Sequence, residues 1–282
     1  MTVLVPTSVA EAVAALAATP GAAVLAGGTD WMVGINAGSP VPDVVVAVGR
    51  LEELRRWSTD GTTVRLGAGL TYRDILEPGL AALVPGLAQA SRTVGSPQIR
   101  NAGTLGGNLG TASPAGDTLP VLVALGAAVE LTSAGGVRVV GVEDFVVAPK
   151  HTAMAYGELI TAVTVPAAQG PQEYLKVGVR NAMVIAVASL ALVVDASRRT
   201  VGVGLGSVGP VPLRANVAEE YLAQRCAWRG DRPSVDAATA VEFAGMVAAA
   251  ARPIDDHRST ARYRGHAVSV LAARALRRVS AA

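Results

Sequence analysis

Along this chain, apolar positions recur at helical spacing in some segments and alternate or run unbroken in others, with Gly and Pro at the changeovers. Residues 3–6 predict a short strand. Ser8 and Glu11 stand at the S-x-x-E spacing of a capping box and open a helix with Val9, Val13 and Leu16 on its apolar face, which Thr19, Pro20 and Gly21 stop. Residues 22–26 predict a strand that empties into Gly27 and Gly28, and residues 44–48 another, after the turn at Pro40 and Pro42. Residues 64–68 alternate as a strand does, whereas residues 80–93 carry Leu83, Leu87 and Ala90 at helical spacing. Residues 119–125 predict a helix, residues 127–132 and 137–142 a hairpin around Ser133 to Gly136, and residues 159–165 a strand ended by Pro166.

Between these elements, residues 95–117 form a polar passage with five glycines from Gly103 to Gly116. It reads as a loop far longer than the usual connection of roughly 4 to 6 residues, and long loops are disproportionately functional. The composition shifts again at residues 167–172, the predicted domain boundary. Beyond it come strand-like segments at 174–179, 183–194 and 201–208, then helices at 215–224, 235–250 and 259–278. Strands followed by helices predict an α+β unit with a small antiparallel sheet.

Composition narrows the function. With 51% hydrophobic and 16% charged residues, the 282-residue chain has the makings of a real core and not of a disordered segment. A net charge of +2 and 4% aromatics supply neither a basic stripe nor a stacking platform, so nucleic acid is not an expected partner. Cys226 is the one cysteine, which excludes an internal disulfide and excludes the chain as sole holder of an iron–sulfur cluster. The longest apolar stretch, 182–194, falls short of the ~20 residues that span a bilayer, so no membrane span is expected. The start MTVLVPTSVAEA lacks the layout of a secretory signal, and the expected location is cytoplasmic.

Three features of the sequence bear on chemistry. Gly204, Gly206 and Gly209 match the G-x-G-x-x-G dinucleotide fingerprint, but Pro210 and Pro212 follow where a helix must begin, and Glu219 and Glu220 come too early for the ribose. A glycine-rich strand against a close neighbour is the better reading. His151, His257 and His266 are scattered without metal-ligand spacing, Cys226 reads as a packing residue, and Asp255 with Asp256 reads as a helix start, so no catalytic residue is expected. The third motif is a pair of bends, Ala26-Gly27-Gly28-Thr29-Asp30 and Gly103-Thr104-Leu105-Gly106-Gly107-Asn108. Paired glycines let backbone amides converge on an anion, so two such bends can clamp a pyrophosphate, with the Thr29 and Thr104 hydroxyls as extra donors.

The context of those bends resembles a known family. TVGSPQIRNAGTLGGNLGTASPAGDTLPVL at 93–122 is similar to the second flavin-binding loop of the FAD-binding medium subunit of molybdenum hydroxylases, the group with xanthine dehydrogenase and aerobic carbon monoxide dehydrogenase. AGGTD at 26–30 resembles its first loop, GELITAVTVP at 157–166 its inter-domain strand, and YLKVGVRNAMVIA at 174–186 the start of its C-terminal domain. PIDDHRSTARYRGH at 253–266 resembles bacterial xanthine dehydrogenase members most closely.

The resemblance implies a vanillyl-alcohol-oxidase-like fold: FAD-binding subdomains at 1–57 and 58–168, then a C-terminal α+β domain at 169–282. It implies that Leu25, Ala26, Gly27, Gly28, Thr29 and Asp30 wrap the FAD pyrophosphate, and that Thr104, Gly106, Gly107 and Asn108 meet it from the other side. Asp117 would accept from the ribose or adenine end, with a plain helix N-cap as its structural alternative; Ile160 would pack near the flavin, and Lys176 would reach it from the third domain. The implied activity is that of an oxidoreductase's electron-transfer subunit. Its partners would be a molybdenum-cofactor large subunit and an iron–sulfur small subunit, its acceptor NAD by likeness to xanthine dehydrogenase or else a quinone or other carrier, with residues 177–183 as the acceptor-side gate. The rivals are a stand-alone flavin oxidoreductase of the same fold and an assembly module that has lost its flavin.

Overall fold

The computed structural model describes residues 1–280, and its three larger sheets have three, five and four strands. The first is parallel, with Thr2–Leu4, Val44–Ala47 and Ala23–Leu25 side by side in that order. Parallel neighbours need a crossover, which the helix Val9–Ala18 supplies. Ser8 caps that helix by accepting from the Glu11 amide, but the Glu11 carboxylate reaches one residue further back than a capping box requires, to the amide and hydroxyl of Thr7. Ala12, Val13 and Leu16 pack on Val46 and on Leu159 of the next sheet.

The second sheet is antiparallel, in the order Trp57–Thr59, Thr63–Gly67, Leu159–Pro166, Ala128–Ser133, Gly136–Gly141. Its central strand slips register between Ile160 and Ala162, a bulge that bends the strand at its Ile160 end. Helical segments around this sheet correct two expectations. Residues 80–93 form two helices, Pro78–Leu83 and Pro85–Thr93, because Pro85 lacks an amide to continue the first and suits the start of the second. Residues 95–117 are not one loop: Ser96 caps Pro97–Ala102, and Thr104 caps Leu105–Thr111. Glycine disfavours a helix, but the caps and full burial of Leu105 and Leu109 override that preference.

The third sheet, Gln172–Val177, Ala188–Asp195, Thr200–Gly206 and Leu213–Arg214, is antiparallel and covered on both faces. On one face, Leu190, Leu192, Val194, Val203 and Leu205 meet the helices Asn216–Arg225, Ala237–Ala250 and Ala261–Val279. On the other, Ala191 and Val193 join the core that contains the helix Leu119–Ala124. A doubly buried strand shows an unbroken apolar run, which is why residues 183–194 read as one strand. The strand starts only at Ala188, since residues 178–186 leave the sheet as a loop closed by the Val187 amide donating to the Val177 carbonyl at 2.7 Å. No helix among the described residues is long and apolar enough to cross a membrane.

The failed fingerprint now has its explanation. A Cβ on Gly202 or Gly204 would overlap the carbonyl oxygen of Ala124 or of Pro120, so the glycines let the helix Leu119–Ala124 lie directly on the strand. Overpacking costs about 1–3 kcal/mol, and here the obstacle is backbone on both sides, so Gly204→Ala is expected to lose at least that much in urea unfolding. Gly245→Ala is the contrast: nothing lies within 4 Å of the added methyl in the exposed interior of Ala237–Ala250, and it is expected to gain roughly 0.5–1 kcal/mol.

Candidate functional site

The strand Ala23–Leu25 runs straight into the first glycine bend. Gly28 takes φ +70°, a left-handed turn that starts the helix Trp31–Asn36. Gly27 lies against the second bend: a Cβ there would overlap the Ala102 carbonyl oxygen and stand 3.1 Å from the Gly103 Cα. Two bends far apart in the chain are thus in contact, and any side chain at residue 27 would part them. The second bend is tied from behind. Tyr72 donates its amide to the Gly103 carbonyl at 3.1 Å, and the Leu105 and Gly106 amides donate to the carbonyls of Leu70 and Ala68 at 2.9 and 2.7 Å.

Beside this contact opens a cleft of about 640 Å³, within the rough 300–1,000 Å³ of small-molecule sites. Leu25, Ala26, Gly27, Gly28, Thr29 and Asp30 line one part of it, and Thr104, Gly106, Gly107 and Asn108 another. Asp117 and Ile160 line it as well, together with Met183, Val184 and Ile185 of the third-sheet loop. Its donors are unevenly spread. The amides of Gly27, Gly28, Thr29 and Asp30 have no acceptor among the described residues. Those of Leu105, Gly106, Gly107 and Asn108 are all engaged, Gly107 with Thr104 Oγ1 at 3.0 Å. The capacity to bind an anion through backbone therefore sits on the first bend. The second contributes a wall without side chains, the Thr104 hydroxyl hydrogen and the Asn108 amide group, whose oxygen is held by the Thr118 hydroxyl.

Asp117 is not an N-cap, because Thr118 separates it from the helix Leu119–Ala124 and its carboxylate turns toward the third sheet. Asp117 Oδ1 accepts from Tyr174 Oη at 2.7 Å, and Oδ2 accepts from Lys176 Nζ at 2.7 Å. Lys176, expected to reach the cleft, does not line it: its ammonium is spent on Asp117 and on the Thr93 carbonyl at 3.1 Å. Both side chains are buried, at 7% and 8% exposure. Burial pushes the Asp117 carboxyl above its ordinary value, and the Lys176 charge with the two hydrogen bonds opposes that push.

Tyrosines 72 and 174 escaped notice in the sequence. Tyr174 stands two residues before Lys176 on one strand, hence on the same face, and that spacing was a usable signal. Tyr72 lines the cleft at 4% exposure, with Gly103 packed against its ring. Burial, and then the carboxylates of Asp117 and Asp30, push its phenol well above the ordinary value, so it stays a hydroxyl donor. Among the described residues no three His, Cys, Asp or Glu side chains gather as a metal-ligand group.

This arrangement of bends and sheets has known counterparts. Residues 1–168 match the family described as the FAD binding domain in molybdopterin dehydrogenase, and residues 173–279 the CO dehydrogenase flavoprotein C-terminal domain. The chain belongs to the family of FAD-binding medium subunits of molybdenum hydroxylases, and it is the FAD-binding flavoprotein subunit of an oxidoreductase. It is 34% identical to the glyceraldehyde dehydrogenase medium chain of Sulfolobus acidocaldarius, over 85% of this chain and 84% of that one. It is 31% identical to the carbon monoxide dehydrogenase medium chain of Afipia carboxidovorans, over 98% and 95%, and 28% identical to the xanthine dehydrogenase FAD-binding subunit of Escherichia coli O157:H7, over 76% of each. The solved Cu,Mo-CO dehydrogenase superposes with a TM-score of 0.90 at 29% identity, covering 99% of this chain and 97% of that one.

Removing Lys176 tests the clasp on Asp117. In Lys176→Met the carboxylate stays buried without its cation, and breaking a buried pair from one side costs about 3–5 kcal/mol at neutral pH. The folded carboxyl then takes up a proton more readily than the unfolded one, so stability is retained at low pH and lost as pH rises through the raised folded value. The gap in Tm between the unaltered protein and the variant is expected to widen as pH rises through the variant's raised folded value and to hold above it. A gap that stays constant would contradict the ion pair.

Proposed function

We propose that this chain is the electron-transfer subunit of a molybdenum-containing hydroxylase, holding FAD between an iron–sulfur small subunit, itself served by a molybdenum-cofactor large subunit, and NAD as acceptor. FAD, when bound, supplies the redox chemistry. The residues of this chain do the holding. The open amides of Gly27 to Asp30 receive the anionic oxygens of the pyrophosphate, and Gly106 and Gly107 give it clearance, with Thr104 and Asn108 adding donors. Asp117 would accept hydrogen bonds from a hydroxyl or amine at the ribose or adenine end, with its two oxygens fixed in direction by Tyr174 and Lys176. Lys176 thus serves the cofactor through Asp117. Ile160 packs near the flavin ring.

The observation that carries this reading is the contact of the two bends beside a cleft lined by four residues whose amides have no acceptor among the described residues. Partner subunits are supported by the relatives named as medium chains, and NAD by the likeness of residues 253–266 to xanthine dehydrogenases. We assign residues 1–57 and 58–168 to two FAD-binding subdomains and 169–282 to a C-terminal domain, which the three apolar clusters support.

The test is the purified protein and what copurifies with it. It is expected to show a flavin spectrum, to come out of its host with two further subunits, and to have its reduced flavin reoxidised by NAD. Reoxidation by quinones and not by NAD would overturn the acceptor, and substrate oxidation by the chain alone would overturn the subunit role. In Gly107→Val the Cβ stands 2.9 Å from Thr104 Oγ1, the end of a side chain that can turn, and the branched side chain adds its bulk to the cleft wall. That variant is expected to fold and to come out colourless; full flavin occupancy would contradict the assignment of the second bend.

A further inference from the structure

Arg264 is a buried guanidinium that the cleft does not use directly. It lies in the first turns of the helix Ala261–Val279 at 5% exposure and is absent from the cleft lining. Its Nη1 donates to two backbone carbonyls on separate segments, Ser207 at 2.7 Å and Val187 at 3.1 Å, and its Nη2 donates to Asp256 Oδ1 at 2.6 Å. Its Nε has no partner among the described residues. Burying a cation on neutral carbonyls is costly unless a counter-charge is at hand, and Asp256 is that charge. Asp256 is itself locked by the turn it sits in, accepting from the amides of Arg258 and Ser259 at 2.8 and 3.1 Å. The Arg258 amide, then the Arg264 guanidinium and the Ser259 amide, hold its carboxyl down at about 2, so it stays charged.

Both carbonyls lead to the cleft. Val187 closes the loop that carries Met183, Val184 and Ile185 into the lining, and Met183 within it is held at φ 49° with its carbonyl capped by the Arg180 guanidinium. Ser207, at φ 62°, donates its amide to the Pro114 carbonyl at 2.8 Å. Pro114 belongs to the turn whose Ser113, Ala115, Gly116 and Asp117 also line the cleft. One guanidinium therefore holds two backbone points at the ends of third-sheet strands, one that closes the loop lining the cleft and one hydrogen-bonded to the turn before Asp117.

We propose that Arg264, anchored by Asp256, is a positioning residue for the flavin cleft, setting the Met183–Ile185 wall through Val187 and the Asp117 wall through Ser207 and Pro114. The inference rests on the reading of the cleft as the FAD site. A residue with this task differs from an ordinary core residue in one respect: its loss loosens the cofactor more than it loosens the domain.

The experiment uses the full chain stripped of flavin, titrated with FAD by fluorescence quenching, with amide hydrogen exchange read for residues 113–117 and 178–187. Four variants are compared: Arg264→Met, Arg264→Lys, Asp256→Asn, and Phe243→Leu as a control that weakens the same domain's core away from the cleft. Arg264→Met is expected to weaken FAD about tenfold or more, the size of effect that outer contacts have on a bound group, and to speed exchange in both segments. Arg264→Lys, which keeps a cation but loses the fork, is expected to fall between, and Asp256→Asn to weaken FAD in the same direction even should Arg264→Met fail to fold. Phe243→Leu is expected to lower Tm and leave FAD affinity where it was. Affinity that merely follows Tm across the four, or unchanged exchange in 113–117 and 178–187, would overturn the proposal while the cleft assignment stood. Failure of the unaltered chain to take up FAD would overturn both.

Discussion

A carbonyl oxygen, that of Ala102, occupies the space where residue 27 would carry a side chain, and the rest of the site depends on that approach. Because residue 27 is glycine, the end of a parallel strand meets the end of the helix Pro97–Ala102. The backbone of the first bend is left with four amides that no acceptor among the described residues claims, while the second bend is braced by Ala68, Leu70 and Tyr72. A site built of backbone in this way can take a highly charged group without offering it a counter-cation, since the amide dipoles are fixed in place before the ligand arrives. That suits a cofactor that stays and is not consumed.

The C-terminal domain is part of the same construction. Its strand Gln172–Val177 sends Tyr174 and Lys176 onto Asp117, its glycines at 202 and 204 admit the helix that follows Asp117, and its loop adds Met183 to Ile185 to the lining. A buried ion pair is a poor source of net stability but a strict one of geometry, because neither charge tolerates the loss of the other. The Asp117–Lys176 pair therefore couples the docking of the third sheet to the direction in which a cleft carboxylate presents its oxygens.

Much of this was legible in the sequence, for identifiable reasons. The helix Val9–Ala18 and the hairpin at Ala128–Gly141 carry their own caps, turns and periodicity, so local pattern sufficed. The two bends stood out through paired glycines, and the false fingerprint at Gly204 through the prolines behind it. What stayed hidden depended on distant partners. Leu105–Thr111 is a helix in spite of its glycines because Leu105 and Leu109 are buried by other segments, and the apolar run 183–194 conceals a loop because Met183, Val184 and Ile185, apolar like the buried strand behind them, line the cleft instead of the core. No local rule in the sequence shows that Asp117, far away along the chain, takes the charge of Lys176.

The most direct measurement is of the amides themselves. Backbone resonances of Gly27, Gly28, Thr29 and Asp30, followed while FAD is added to the flavin-free protein, are expected to shift together and to lose hydrogen exchange as the amides gain acceptors. Those of Leu105 and Gly106, already bonded to the chain, are expected to keep the protection they have. Tight FAD binding that left the four first-bend amides unshifted and still exchanging freely would contradict the account at its base.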